Sequence, residues 1–293
     1  MHKAGFVNIV GNPNVGKSTL MNQLVGEKLS IATFKAQTTR HRIMGIVNTE
    51  DAQIVFSDTP GVLKPNYKMQ EMMLQFSESA LADADVLLYV TDVIENPEKN
   101  MDFLEKVAKM TIPVILLINK IDESDQSKLV ELVEKWHSLL PDAEILPISA
   151  KNKFGTDILM KRVRELLPES PAFFDKDQLT DKPARFFVSE IIREKILRYY
   201  DKEIPYSVEV VVECFKEDDR QIHINAVIYV ERSSQKGIII GHQGMALKKV
   251  ATEARKSLER FFDKKIFLET FVKVDKDWRN SQKELNNFGY NPE

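Results

Sequence analysis

The sequence predicts a two-domain chain, an α/β domain with a mostly parallel sheet flanked by helices followed by a smaller α+β domain. Three observations predict it. Short apolar runs alternate with helical patterns over residues 1–168, a βα rhythm that calls for a sheet covered on both faces. A stretch bearing Pro168, Pro171 and Pro183 among several acids then interrupts that rhythm without any period, so residues 169–183 read as an interdomain linker. Beyond it, two runs that alternate apolar and polar residues lie between helical patterns, which suits a hairpin packed on helices. Residues 184–293 therefore make the second domain with a C-terminal tail.

In the first domain, residues 5–10 read as a strand and 19–25 as the helix after it. Residues 42–47 and 53–57 are strands close in sequence, 71–81 a helix, 86–91 a strand and 101–109 a helix. Residues 114–118 and 144–148 are strands, with helices at 128–140 and 157–167. In the second domain, residues 187–197 are helical. Val208, Val210, Val212 and Cys214 mark one strand, residues 216–220 a charged turn, and Ile222, Ile224, Ala226, Ile228 and Val230 a second strand. A glycine-bearing loop follows. A long helix then places Leu247, Val250, Ala251, Ala254, Leu258 and Phe261 on one face, and Ile266, Leu268, Thr270, Val272 and Val274 form a last strand. Phe186, Tyr206, Tyr229 and Phe271 read as core aromatics.

Hydrophobic residues make up 43% of the chain and charged residues 29%, which excludes a disordered or fibrous protein. The longest apolar runs are too short to cross a bilayer, and the N-terminus enters a strand without a signal-peptide pattern. Cys214 is the single cysteine, so no intramolecular disulfide or thiolate cluster is available. These features point to the cytoplasm and leave a peripheral membrane contact open. The net charge is −3, divided as −5 over residues 1–179 and +2 over 180–293. Residues 232–265 carry nine Lys or Arg against three acids, a basic stripe suited to a phosphate backbone.

Gly11-Asn12-Pro13-Asn14-Val15-Gly16-Lys17-Ser18 is a G-x-x-x-x-G-K-S phosphate loop between a strand and a helix. Its glycines let successive N–H groups face phosphate oxygens, and the helix N-terminus adds partial positive charge. Lys17 is placed to reach the β- and γ-phosphates and Ser18 to ligate Mg²⁺. Asp58-Thr59-Pro60-Gly61 ends a neighbouring strand, where Asp58 can hold Mg²⁺ through water and Gly61 can offer its N–H to the γ-phosphate. Asn119-Lys120-Ile121-Asp122 follows the buried strand 114–118. Asp122 can accept from both guanine N1–H and the 2-amino group, Asn119 can touch the other edge, and the Lys120 stem can cover the ring. A site that pairs these edges rejects adenine. Ser149-Ala150-Lys151 closes the set, with the Ala150 N–H available to guanine O6.

Four motifs in this order resemble the small GTPases of the translation-factor type. The resemblance implies a first-switch threonine that binds Mg²⁺ and the γ-phosphate. Gln37-Thr38-Thr39-Arg40-His41 supplies it, with Thr39 as the assignment and Thr38 as the alternative. Lys17, Thr39 and Gly61 are thus the catalytic candidates, and Ser18, Thr39 and Asp58 the Mg²⁺ ligands. Val62, which with Asp58, Thr59, Pro60 and Gly61 completes the phosphate-binding candidates, stands where Ras-like proteins carry a water-orienting Gln. The resemblance implies instead that Asn14 binds K⁺, which would neutralise charge developing on the phosphates.

In the second domain, Gly241-His242-Gln243-Gly244 is a G-x-x-G loop preceded by Ile238, Ile239 and Ile240 and followed by a helix carrying Lys248, Lys249, Arg255 and Lys256. Paired glycines and a helix N-terminus let phosphates approach closely, as in the loop by which KH domains clamp about four nucleotides. Gly237, Ile240, Gly241, His242, Gln243, Gly244, Lys248 and Lys249 are the RNA-binding candidates. A P-loop GTPase domain followed by a KH-like (type II) domain resembles the Era-like GTPase family over residues 5–280. That resemblance implies a GTP-hydrolysing switch, with GTP/GDP and Mg²⁺ as cofactors, that binds the 3′ end of small-subunit ribosomal RNA. It further implies a monomer that assists assembly of the small ribosomal subunit, with peripheral contact at the cytoplasmic face of the cell membrane. The alternatives are a GTP-stabilised RNA scaffold with negligible turnover, a GTPase acting on another RNA, and an ATPase.

Overall fold

The computed structural model describes residues 2–291 in two compact units, one ending at Asp181 and the other carrying Lys182–Asn291. The first unit runs β1 (Lys3–Gly11), α1 (Lys17–Val25), β2 (Ile43–Asn48), β3 (Ala52–Asp58), α2 (Lys68–Ala82), β4 (Val86–Asp92), α3 (Met101–Ala108), β5 (Val114–Asn119), α4 (Gln126–Leu139), β6 (Glu144–Pro147) and α5 (Thr156–Leu166). The strand order is β2-β3-β1-β4-β5-β6, and only β2 runs antiparallel to its neighbour. Strands β3 and β4 are buried at every residue, as a sheet with helices on both faces requires. The register sets Ile9 beside Asp58 and Asp92 beside Asn119, so the carboxyl ends of the parallel strands gather the site residues at one edge.

Arg42, the last residue before β2, ties that edge to α2. Its guanidinium donates to Ser57 Oγ at 2.6 Å, to Asp83 at 2.7 and 3.0 Å, and to Asn8 Oδ1 at 3.1 Å. Asn8 in turn donates to Ala80 O and Asp83 Oδ1, both at 2.7 Å, so the fully buried Asn8 and Ser57 are satisfied.

The segment expected to be a linker lies along the first unit for most of its length. Ser170 N–H donates to His2 O at 3.2 Å, Ile46 N–H to Leu179 O at 2.8 Å and Met44 N–H to Asp181 Oδ1 at 2.9 Å. Gln53 Nε2 donates to Phe174 O at 2.8 Å. The bonds at Met44 and Ile46 satisfy β2, which is an edge strand with one side unpaired in the sheet. They involve mostly backbone groups, so no side-chain period announces them.

The second unit runs α6 (Ala184–Tyr199), β7 (Val208–Glu217), β8 (Gln221–Val230), α7 (Ser233–Ile240), α8 (Met245–Phe262), β9 (Lys265–Val274) and α9 (Gln282–Asn287). Its sheet is ordered β7-β8-β9, with β7 antiparallel and β9 parallel to β8. The core joins Val188, Ile192 and Ile196 of α6, the inward residues of β7 and β8, and Val250, Ala254 and Leu258 of α8. Four features differ from the sequence reading. The glycine-bearing loop is largely α7, started by Gln235 Oε1 accepting the N–H groups of Glu231 and Arg232 at 3.0 Å each. Strand β7 continues through a bulge between Val212 and Cys214 and takes in Lys216 and Glu217. The tail is folded: Trp278, Leu285 and Tyr290 are buried, and Tyr290 donates to Glu209 Oε2 at 2.6 Å. Phe271 is 49% exposed rather than core, and Tyr229 is half-buried, with its ring against Phe288 of the C-terminal segment. Among the described residues no helix is long and apolar enough to cross a membrane.

Candidate functional site

The phosphate loop leaves β1 through Gly11 (φ +145) and enters α1 through Gly16 (φ +94). A Cβ on Gly11 would stand 2.1 Å from Val90 O, and one on Gly16 would stand 2.3 Å from Asn119 Nδ2. Both positions therefore demand glycine for conformation and for space. Helix α1 has no side-chain cap, which leaves its first N–H groups to a ligand. Lys17 Nζ donates to Gly11 O at 3.0 Å and Asn12 O at 2.8 Å. Burial pulls this ammonium down to about 8, against the attraction of Asp58 and Glu95.

Ser18 Oγ donates to Asp58 Oδ2 at 2.7 Å, Thr39 Oγ1 donates to the same oxygen at 3.1 Å, and the two hydroxyls are 2.8 Å apart. Asp58 is 0% exposed, its Oδ1 has no hydrogen-bond partner, and burial pushes its carboxyl above the ordinary range. Two hydroxyls and an under-satisfied carboxylate form a hard oxygen set that fits Mg²⁺. Thr38 lies outside this set; it donates to Lys35 O at 2.5 Å and lies 3.0 Å from Thr33 Oγ1. Thr39 is thus the threonine the fold brings to Ser18 and Asp58.

The remaining phosphate-site candidates divide. Gly61 packs against Pro13, where a Cβ would meet Pro13 Cα at 2.7 Å, and it lines the cleft. Val62, expected beside the phosphates, is 3% exposed in the hydrophobic core and donates its N–H to Gly11 O at 3.1 Å. Thr59 donates to Ile9 O and Pro60 O accepts from Ser77, both at 2.8 Å, so their polar groups hold the turn. Asn12 is 2% exposed, with its Oδ1 accepting from Asn100 Nδ2 at 2.6 Å. Val15 is buried, and its carbonyl accepts from Asn119 Nδ2 at 2.8 Å. Asn14 is exposed at φ +67, and its carbonyl accepts from Lys120 Nζ at 2.7 Å.

A cleft of about 420 Å³, in the size range of small-molecule sites, runs from Gly16, Lys17, Ser18 and Thr39 to Asn119, Lys120, Asp122 and Lys151. Ser149 Oγ donates to Asp122 Oδ1 at 2.6 Å, which orients the carboxylate and leaves its other oxygen for a donor edge. The Ala150 N–H, expected to face guanine O6, donates to Asn119 Oδ1 at 3.0 Å instead. Lys120 Nζ also pairs with Asp92 Oδ2 at 2.5 Å. The motifs did not reveal Asp92, the last residue of β4, or Glu95 and Asn100 on the β4–α3 connection; the placement of Asp92 at the carboxyl end of a parallel strand was the one available signal.

In the second unit, Gly241 (φ +70), Gln243 (φ +49) and Gly244 (φ +75) turn the chain from α7 into α8. Helix α8 starts without a side-chain cap. His242, Gln243, Lys248 and Lys249 are exposed around it. A Cβ on Gly241 would meet Ala246 Cβ at 2.6 Å, whereas one on Gly244 would enter open space. Gly237 lies exposed within α7, and Ile240 packs on the core beneath the loop. An open glycine, an uncapped helix N-terminus and exposed lysines are features that suit a phosphate backbone.

Comparisons with known proteins agree with both halves. A model of the 50S ribosome-binding GTPase family matches residues 6–120, and a KH domain model matches residues 203–279. A crystal structure of Era in complex with MgGDPNP and nucleotides 1506-1542 of 16S ribosomal RNA is 38% identical over 99% of this chain and 99% of that chain, with a TM-score of 0.95. The chain belongs to the Era family of GTPases. An Aquifex aeolicus Era variant bound to GDP.AlF4- is also 38% identical, over 98% of this chain and 99% of that one, with a TM-score of 0.94. The Era-family likeness therefore spans the GTPase domain and the KH domain together.

The buried Lys17 predicts a pH dependence. Its folded value near 8 lies below the ordinary 10.5, so the unfolded chain holds more protons between them and the nucleotide-free protein gains stability as pH rises through that window. Phosphate favours the charged ammonium, so nucleotide binding restores the proton. GDP affinity should fall above about pH 8, approaching about tenfold per unit. Calorimetric titration in buffers of different ionisation enthalpy should show proton uptake rising toward one per nucleotide. No uptake near pH 9 would mean that the ammonium is already charged in the free loop.

Proposed function

We propose that this Era-family GTPase uses its GTP/GDP cycle to control how its KH domain holds the 3′ end of small-subunit ribosomal RNA, and so assists assembly of the small ribosomal subunit. The observation that carries the reading is one chain that combines the Ser18–Thr39–Asp58 cluster beside a phosphate loop with an open G-x-x-G turn into a basic helix. The RNA is chosen because the Era of 38% identity was crystallised with nucleotides 1506-1542 of 16S ribosomal RNA.

In this reading Ser18, Thr39 and Asp58 hold Mg²⁺, which when bound neutralises charge on the phosphates. Lys17 faces the β- and γ-phosphates, Gly61 offers its backbone N–H to the γ-phosphate, and Asp122 with Asn119 selects guanine. Thr39 joins the cluster when the γ-phosphate is present and leaves after hydrolysis, an order–disorder switch. The proposed place of action is the cytoplasm, as a monomer with peripheral contact at the membrane face; cell fractionation and light scattering read these out.

Val62 is apolar and buried, so no side chain at that place orients the attacking water. We give that task to backbone groups, with K⁺ at Asn14 neutralising charge that develops on the phosphates. Single-turnover hydrolysis should then be at least about tenfold faster in K⁺ than in Na⁺, and Asn14→Ala should remove the difference. Equal rates in both salts would remove K⁺ from the mechanism.

Binding of an RNA copying the 3′ end tests the partner. Gly244→Asp is the cleaner variant, since its Cβ enters open space and Asp tolerates a left-handed backbone. It should weaken binding at least about tenfold, and the wild-type affinity should fall steeply with salt. Unchanged binding in Gly244→Asp would remove the loop from the RNA site.

A further inference from the structure

The connection from β4 to α3 belongs to none of the sequence motifs, yet it grips both the phosphate loop and the turn after β3 at residues 59–62, the second switch of the GTPase site. Asp92 Oδ2 accepts from Lys120 Nζ, and its Oδ1 accepts the N–H groups of Ile94 and Glu95 at 3.0 and 2.8 Å. Glu95 accepts from Thr91 Oγ1 at 3.0 Å, and the nearby Asn12 side chain favours its carboxylate. Asn100 immediately precedes α3 in a left-handed conformation (φ +58), and its Nδ2 donates to Asn12 Oδ1 at 2.6 Å and to Val62 O at 3.0 Å. One amide nitrogen, with two hydrogens for two acceptors, thus joins the phosphate loop to the second switch.

The consequence falls on Gly61. Its N–H shares a peptide plane with Pro60 O, which Ser77 Oγ holds at 2.8 Å. On the other side, the Val62 N–H is held by Gly11 O at 3.1 Å and the Val62 carbonyl by Asn100. The chain around Gly61 is therefore pinned before and after the one N–H aimed at the γ-phosphate. With Val62 in the core, no side chain there shares the task, so its accuracy rests on the backbone.

We propose that Asn100 is a positioning residue for GTP hydrolysis, locking the second switch to the phosphate loop so that the Gly61 N–H is correctly aimed in the transition state. The inference rests on the role of Gly61 in the GTPase site and is independent of the RNA. Position 100 suits this task because Asn tolerates the left-handed backbone and carries a short amide that reaches both acceptors. Glycine keeps the backbone and removes the amide. Aspartate keeps the size but sets a carboxylate against two acceptor oxygens.

Asn100→Gly and Asn100→Asp in the full-length protein test it by three readouts: single-turnover GTP hydrolysis, affinity for GDP with aluminium fluoride, and affinity for GDP alone. The expected result is a loss of about tenfold to a hundredfold in hydrolysis and in aluminium fluoride binding, while GDP affinity stays within about threefold. Hydrolysis unchanged in both variants would overturn the proposal. So would GDP affinity falling in step with hydrolysis, since Asn100 would then serve only to build the nucleotide site. If wild type itself does not hydrolyse GTP, the fault lies with the reading of Gly61 and not with Asn100.

Discussion

Lys17 and Asp58 are both taken out of water at the end of one sheet, and the organisation of the first unit follows from that constraint. Burying two opposite charges costs both their hydration, which their mutual attraction alone does not fully return. The protein solvates each with its own groups. Carbonyls of Gly11 and Asn12 receive the ammonium, and the hydroxyls of Ser18 and Thr39 donate to one carboxylate oxygen. The other oxygen, Asp58 Oδ1, has no partner, and the lysine is held near 8. Phosphates and a divalent cation are the species that complete such a set, so the cost of burying the charges is recovered when nucleotide binds.

This constraint explains positions that otherwise look arbitrary. Gly11 and Gly16 curl the chain so that the carbonyls of Gly11 and Asn12 turn inward to Lys17. Parallel strands bring Asp58, Asp92 and Asn119 to the same edge, and Asn119 buttresses the loop through Val15 O. Val62 lies in the core behind the cleft, so the second switch faces the phosphates with backbone rather than with a polar side chain. That leaves aiming to the bonds that fix the backbone, which gives the β4–α3 connection its importance.

Much of this was legible in the sequence. The alternation of strands and helices, the phosphate loop, Asp58, Asn119 and Asp122 are readable because each combines a residue pattern with a fixed place at a strand end. The choice between Thr38 and Thr39 was not readable, since adjacent threonines in a loop differ only in which way the backbone turns them. Helix α7 was missed because Gly237 and the short apolar run Ile238 to Ile240 mimic a loop and a strand, while its start depends on the Gln235 side chain. The strap over residues 169–181 bonds largely through backbone, and the C-terminal segment is anchored by the single residues Trp278, Leu285 and Tyr290. Asn12, Glu95 and Asn100 form a network between segments distant in sequence, which periodicity cannot reveal.

The central claim is that the Ser18–Thr39–Asp58 cluster carries the state of the nucleotide into the first switch. The most direct measurement is hydrogen exchange of residues 30–41 with GDP and with a non-hydrolysable GTP analogue, in wild type, Thr39→Ala and Thr38→Ala. This segment should exchange more slowly with the analogue in wild type and in Thr38→Ala, with no such difference in Thr39→Ala. Equal exchange in the two nucleotide states of wild type, or protection that survives in Thr39→Ala, would contradict it.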